Sequence, residues 1–225
     1  MKLYEMIFPR RCPFCGRLVK EAGPCKRCEE NTVELTGEVC RICGALPEDC
    51  FCRPLQPFSF ERNVSAYSYK GGARSLVLRF KERGKPQLAP FMAKRIFRQI
   101  EGRLSEPIDK IVSVPNSKAA VWRRGYSPTE LLARELSSLL NLPVEEPLLR
   151  LPTPQRKYQK GNRWNNVHSD YALKKEISLK GNILLIDDVV TSGASLDTCA
   201  RLLKKSGAEK VFCATFAATP RKNRK

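Results

Sequence analysis

The chain has 225 residues and a formal charge of +18, with 41 Lys and Arg against 23 Asp and Glu. That length allows one mid-sized domain and a small one, and 42% hydrophobic residues with 8% aromatic ones suit a globular protein and argue against a disordered chain. Nowhere do about 18 apolar residues run together, and MKLYEMIFPRRC lacks an apolar export segment, so no membrane insertion and a cytoplasmic location are expected.

Eight of the ten cysteines come first: Cys12, Cys15, Cys25, Cys28, Cys40, Cys43, Cys50 and Cys52. Three C-x2-C pairs are followed by one C-x-C. A C-x2-C turn aims two thiolates at one tetrahedral metal, whereas disulfides are disfavoured where no export is encoded. Two structural Zn2+ sites of four thiolates each are expected, paired either consecutively or in a cross-brace. The C-x-C needs a local bend to turn both sulfurs inward. A region this short with few large aliphatics builds little core, so the metal would supply much of its folding free energy. Arg53 to Phe60, with two prolines and no periodicity, is expected to link this small domain, 1–56, to the rest, 57–225.

Beyond the linker, strands and helices alternate. Residues 64–69 are expected as a strand, and Ala73, Leu76, Val77 and Phe80 keep helical spacing, as do Leu88, Phe91, Met92, Ile96 and Ile100. IVSV at 111–114 is expected as a buried strand. Ser127, Pro128 and Glu130 open a helix carrying Leu132, Leu136, Leu139 and Leu140. ILLI at 183–186 is a strand, 195–206 a helix stopped by Gly207, and VFCATFA at 211–217 a further strand, with Cys199 and Cys213 in apolar patterns that suit a core. Such alternation implies an α/β fold with a mostly parallel sheet and helices on both faces.

ILLIDDVVTSGAS, 183–195, carries the chemistry. In an open parallel sheet ligands bind past the C-terminal strand ends, where Asp187, Asp188 and the following loop are expected. The loop Thr191, Ser192, Gly193, Ala194 and Ser195 leads into a helix N-terminus, which favours a phosphate. A bare phosphate touching both loop and acids would be repelled. A ribose 5-phosphate solves this, with its phosphate in the loop and its hydroxyls donating to the carboxylates.

This stretch resembles the phosphoribosyl pyrophosphate (PRPP) motif of type I phosphoribosyltransferases. Together with the cysteine-rich start, VLRFKERGKP (77–86), VPNSKAAVWRRGYSPTELLA (114–133) and QKGNRWNNV (159–167), it resembles the ComF family of competence-associated proteins. The resemblance implies a type I phosphoribosyltransferase fold preceded by a double zinc ribbon, a link to uptake of single-stranded DNA, and competence or helicase-like protein partners. It implies pentosyl transfer from PRPP, with Asp187 and Asp188 at the ribose, Thr191 to Ser195 at the 5′-phosphate, and Asn116, Ser117 and Lys118 near the pyrophosphate, with Mg2+. Arg79, Lys81, Arg123 and Arg124 are the candidate loop cations. The chain departs from the family at Tyr126-Ser127-Pro128, where Phe-Asn-Gln is common. Thr191 stands where purine-salvage enzymes carry an Asp, so a purine acceptor is not implied.

Charge adds a second expectation. Residues 1–60 hold nine Lys and Arg against eight acids, leaving 32 against 15 in the remainder. Arg150 to His168 has no acid, and its Arg156, Lys157, Lys160, Arg163 and Trp164 suit a single strand, with cations on the backbone and a ring under the bases. The same stretch also suits a loop that closes over PRPP.

Overall fold

The computed structural model describes residues 9–52, 57–152, 170–174 and 178–220. Its elements follow in chain order. Helix α1 is Lys26–Glu30, strand β1 Arg62–Ser68, α2 Gly71–Glu82, α3 Ala89–Arg103, β2 Lys110–Ser113, α4 Lys118–Arg124, α5 Pro128–Leu140 and β3 Val144–Glu145. Then come β4 Leu148–Arg150, β5 Tyr171–Leu173, β6 Asn182–Val190, α6 Ala194–Lys205 and β7 Lys210–Ala218.

Five strands form one parallel sheet in the order β1-β7-β6-β2-β3. β6 and β7 are apolar on both faces because each face is covered, as the uninterrupted ILLI and VFCATFA runs require. One face carries α2, α3 and α5, whose Leu76, Phe80, Met92, Ile96, Leu132 and Leu136 are buried against Leu184, Ile186 and Phe216. Leu139, expected to point inward with them, is 37% exposed. The other face carries α6, with Leu196, Cys199 and Leu203 packed on Ile183, Leu185 and Cys213. Both late cysteines are core residues.

The cysteine-rich region covers the sheet edge. Beside β1, Leu35 N donates to Ala66 O at 2.9 Å, Ser68 N to Val33 O at 2.9 Å and Asn63 N to Ile42 O at 2.7 Å. Strand amides that would face water are thereby paired. The first cysteine cluster joins the core on the α2/α3 face through Cys12, Phe14 and Cys28, and the second joins the α6 face through Cys43, Ala45 and Phe60. Residues 57–60, expected as part of a linker, are packed instead: Phe60 is buried, Phe58 stacks on it at 4.5 Å, and Ser59 N donates to Asp197 Oδ1 at 2.6 Å. Three short strands, β3, β4 and β5, had no periodicity to reveal them. β4 and β5 form an antiparallel ribbon, Arg150 opposite Tyr171.

Candidate functional site

The difference in strand length opens the cleft. β2 pairs with β6 only as far as Ser113 opposite Ile186, whereas β7 stays paired with β6 to Val190. From Asp187 onward that edge of β6 has no strand partner among the described residues and borders a cleft of about 190 Å³. Lys81, Asn116, Thr129, Arg150, Tyr171 and Ser195 share its lining with the two aspartates. The sequence put both acids past the strand end. They lie within β6, whose period of two sends them to opposite faces.

Asp188 is 2% exposed and faces α2, where Lys81 Nζ lies 2.8 Å from its Oδ1. Its Oδ2 is buried with no hydrogen-bond partner among the described residues. Asp187 lies at the cleft and accepts a hydrogen bond from Asp188 N at 2.8 Å. Burial, then repulsion from Asp188, push its carboxyl up to about 8 despite the nearby Lys81 ammonium. Burial works against the charge on Lys81, but Asp188 and then Asp187 outweigh it and hold the ammonium above the usual lysine range. The pair is therefore short of hydrogen-bond donors, and a ligand with hydroxyls or a cation supplies them.

Thr191 to Ser195 turns from β6 into α6. Gly193, at φ +78° in the left-handed region, occupies the N-cap position of α6, where a glycine is unstrained. Asp197 in the first turn of α6 faces Ser59 N, away from the loop. Thr191 is exposed and Ser195 lines the cleft.

Other expected residues have structural employment. Asn116 donates to Ser127 Oγ at 3.1 Å and Thr129 Oγ1 at 2.6 Å, tying the 115–118 loop to the start of α5. Ser127 does hold the N-cap position, but its hydroxyl makes no cap bond there. Ser117 Oγ caps α4 by accepting from Ala120 N at 3.3 Å. Lys118 is exposed beside a second, larger hollow of about 640 Å³ between Ser117–Ala119 and Leu149–Pro152. Of the four candidate cations, Lys81 is at the cleft and Arg123 pairs with Glu82 at 3.9 Å on the surface. Arg79, expected near pyrophosphate, donates to Pro13 O at 2.7 Å and Cys12 O at 3.4 Å and clamps the first cysteine knuckle. Arg124 keeps Nε and Nη1 buried without a hydrogen-bond partner among the described residues. Arg156, Lys157, Lys160, Arg163, Trp164 and His168 lie outside the described residues.

Sequence reading missed Thr129 and Tyr171 as cleft residues and took Arg150 only as the start of a basic stretch. Arg150 sits over the Tyr171 ring at 5.6 Å. Their ribbon is two short strands separated by twenty residues, too sparse a signal to read.

The cysteines settle into two groups, Cys12, Cys15, Cys25, Cys28 and Cys40, Cys43, Cys50, Cys52, with the four sulfurs of each group within 4.8 Å of one another. Pairing is consecutive, not cross-braced. Cys15 and Cys25 sulfurs are 3.7 Å apart, and Cys40–Cys52 and Cys43–Cys50 are 3.6 Å apart. A tetrahedron of roughly 2.3 Å Zn–S bonds has edges of about 3.8 Å, so both clusters fit zinc. Both knuckles repeat one turn: Cys12 N to Arg17 O and Cys40 N to Ala45 O, each at 2.8 Å. The C-x-C finds its bend after a tight turn at Pro47–Asp49. Burial, then hydrogen bonds with Cys15 and Cys25, push Cys28 up; burial, then the charge of Cys43, do the same to Cys52. Four thiolates so close need a dication.

No helix among the described residues is long and apolar enough to cross a membrane. A family model described as "Phosphoribosyl transferase domain" matches residues 93–225, and one described as "Double zinc ribbon domain" matches residues 3–56. The chain is 27% identical to "Competence protein ComFC" of Bacillus subtilis over 81% of this chain and 78% of that one. It is 26% identical to "Competence protein F" of Haemophilus influenzae, over 91% and 95%. To "DNA utilization protein YhgH" of Escherichia coli K12 it is 27% identical, over 84% and 87%.

Proposed function

Because the chain belongs to the phosphoribosyl transferase domain family, with a type I fold preceded by a double zinc ribbon, we propose that it binds PRPP and transfers its phosphoribosyl group. One observation carries the reading: Asp188 Oδ2 is buried without a donor among the described residues, in a cleft also lined by Asp187 and by Ser195 at the end of the Thr191–Ser195 loop. The 2′- and 3′-hydroxyls of a ribose supply the missing donors. Backbone amides from Ser192 to Ser195, at the start of a twelve-residue helix, receive the 5′-phosphate.

Asn116 and Thr129 hold the 115–118 loop where the pyrophosphate is bound, and Arg124, whose Nε and Nη1 lack a partner among the described residues, supplies charge to it. Mg2+ bound together with pyrophosphate would supply further positive charge to the leaving group. In the reaction the C1–O bond to pyrophosphate breaks and its electron pair leaves with pyrophosphate. A bond from C1 to an acceptor nitrogen forms, and that nitrogen loses a proton. The transition state is cationic at the ribose, so the protein's part is orientation, charge on the leaving group and exclusion of water. No nucleophilic side chain is needed. Asp187→Asn with Asp188→Asn is expected to abolish PRPP binding in isothermal titration while both zincs and the fold persist; unchanged affinity refutes the ribose placement.

A second reading, an adaptor for single-stranded DNA, is favoured by a specific surface. Trp122 is 88% exposed on α4, a helix with no buried residue, beside Lys118 and Arg123. The larger hollow, bordered by Leu149 and Leu151, opens next to Ser117 and Lys118. Flat bases stack on such a ring while cations meet the phosphates. A cytoplasmic location and a competence or helicase-like protein partner belong to this reading; the relatives' names speak of competence and DNA utilization. Affinity for an oligonucleotide should fall steeply with salt, and neutralising Arg156, Lys157, Lys160 and Arg163 should flatten that slope. Trp122→Ala should cost about 1–3 kcal/mol of that affinity.

A further inference from the structure

The two cysteine clusters differ in what they touch. Between the second cluster's Cys50 and Cys52 stands Phe51, and its ring reaches the turn from β6 into α6. A β-carbon built on Gly193 would lie 3.0 Å from Phe51 Cε2 and 3.0 Å from Phe58 Cε1. Phe51 meets Phe58 edge-on at 6.0 Å, and Phe58 is stacked on the buried Phe60. A few residues on, Ser59 N holds Asp197 Oδ1, while Asp197 N donates to Gly193 O at 2.8 Å. The segment after the second cluster thus grips the loop–helix junction at two points, Gly193 and Asp197.

We propose that Phe51, with Phe58, is a positioning residue for the Thr191–Ser195 loop, so that metal in the second cluster and a 5′-phosphate in the loop raise each other's affinity. This rests on the PRPP reading above. Zinc fixes the chain on both sides of Phe51, because Cys50 and Cys52 are both ligands in the cluster. Without the metal, only packing holds the ring against Gly193. The loop then loses the ring packed against Gly193, and a phosphate must order it again on binding. By linkage, a ligand that favours the ordered loop must equally slow loss of the second zinc. The first cluster has no comparable route, since Phe14 and Arg79 tie it to the opposite face of the sheet.

The full-length, zinc-loaded protein tests this with three probes, PRPP, ribose 5-phosphate and pyrophosphate, each with Mg2+ in isothermal titration. Phe51→Ala is expected to weaken PRPP and ribose 5-phosphate roughly tenfold while pyrophosphate affinity and both zincs are retained, with Phe51→Leu in between. In the wild type, saturating ribose 5-phosphate is expected to slow chelator-driven release of one of the two zinc equivalents. If Phe51→Ala sheds its second zinc, Phe58→Ala, which reaches Gly193 from outside the cluster, carries the same test. Unchanged affinity for ribose 5-phosphate, or an equal loss for all three probes, overturns the inference and leaves PRPP binding intact. A wild type that binds none of the three removes the PRPP reading and the inference with it.

Discussion

The two faces of the sheet are built from similar parts to different ends. Each has a cysteine knuckle with the same turn, and each receives one of the paired aspartates. On the α2/α3 face the knuckle is sunk into the core: Phe14 meets Tyr67 and Phe91 edge-on at 5.6 Å each, Arg79 holds the knuckle carbonyls, and Lys81 neutralises Asp188. On the α6 face the second cluster meets Gly193 through Phe51 of its C-x-C, and Asp187 is left with a raised carboxyl at the cleft. Both aspartates still offer a ligand an acceptor at the cleft, Asp188 Oδ2 on one face and the Asp187 carboxyl on the other, but only the second cluster touches the phosphate loop. The contrast teaches that a repeated motif takes its role from what it is packed against.

The contrast breaks most severely at Phe14. It is 2% exposed, and Phe14→Ala should destabilise the protein by about 3–5 kcal/mol, read as a lower denaturation midpoint. Below that midpoint PRPP affinity should be unchanged; a selective loss of affinity would erase the distinction between the faces. Arg79→Ala removes charged hydrogen bonds from the same knuckle and should cost about 1.5–3 kcal/mol and hasten release of one zinc, again without altering PRPP affinity. A large fall in affinity would return Arg79 to the pyrophosphate.

The third prediction turns on pH. Asp187 is raised from 3.8 to about 8, so between those values the folded protein binds more protons than the unfolded chain. Its contribution to stability is therefore present below about pH 4 and lost as pH rises through about 8. Asp187→Asn should flatten this decline, with a gain on the order of 1–2 kcal/mol at pH 8.5 once solvent at the cleft is allowed for. Parallel melting curves at pH 5 and 8.5 for the two proteins are the check, and parallel slopes would show that Asp187 is not strained. The smallest effect belongs to Asp197→Ala, which removes the acceptor for Ser59 N and should cost about 1 kcal/mol, with faster amide exchange at Ser59.

Much of this architecture was legible from local pattern. Helical spacing found Leu76, Phe80, Met92 and Ile96, and the unbroken ILLI and VFCATFA runs found two central strands. Strand ends were less legible. β6 runs on through two aspartates because β7 is long enough to keep pairing with it, a fact about a partner rather than about the run itself. Polar residues were harder still. Ser117, Asn116 and Arg79 have side chains suited to a phosphate or to a backbone group, and only their neighbours decide between the two.

Sequence alone determined most of the helices and the longer strands, the four-thiolate chemistry of the first fifty-two residues and the acid-plus-loop motif, because each is encoded within a few adjacent residues. Tertiary structure decided which cysteines share a metal, which aspartate Lys81 neutralises, and that Phe51 meets Gly193 across more than a hundred residues. Such contacts depend on where the sheet brings distant segments together, and no local spacing records that distance.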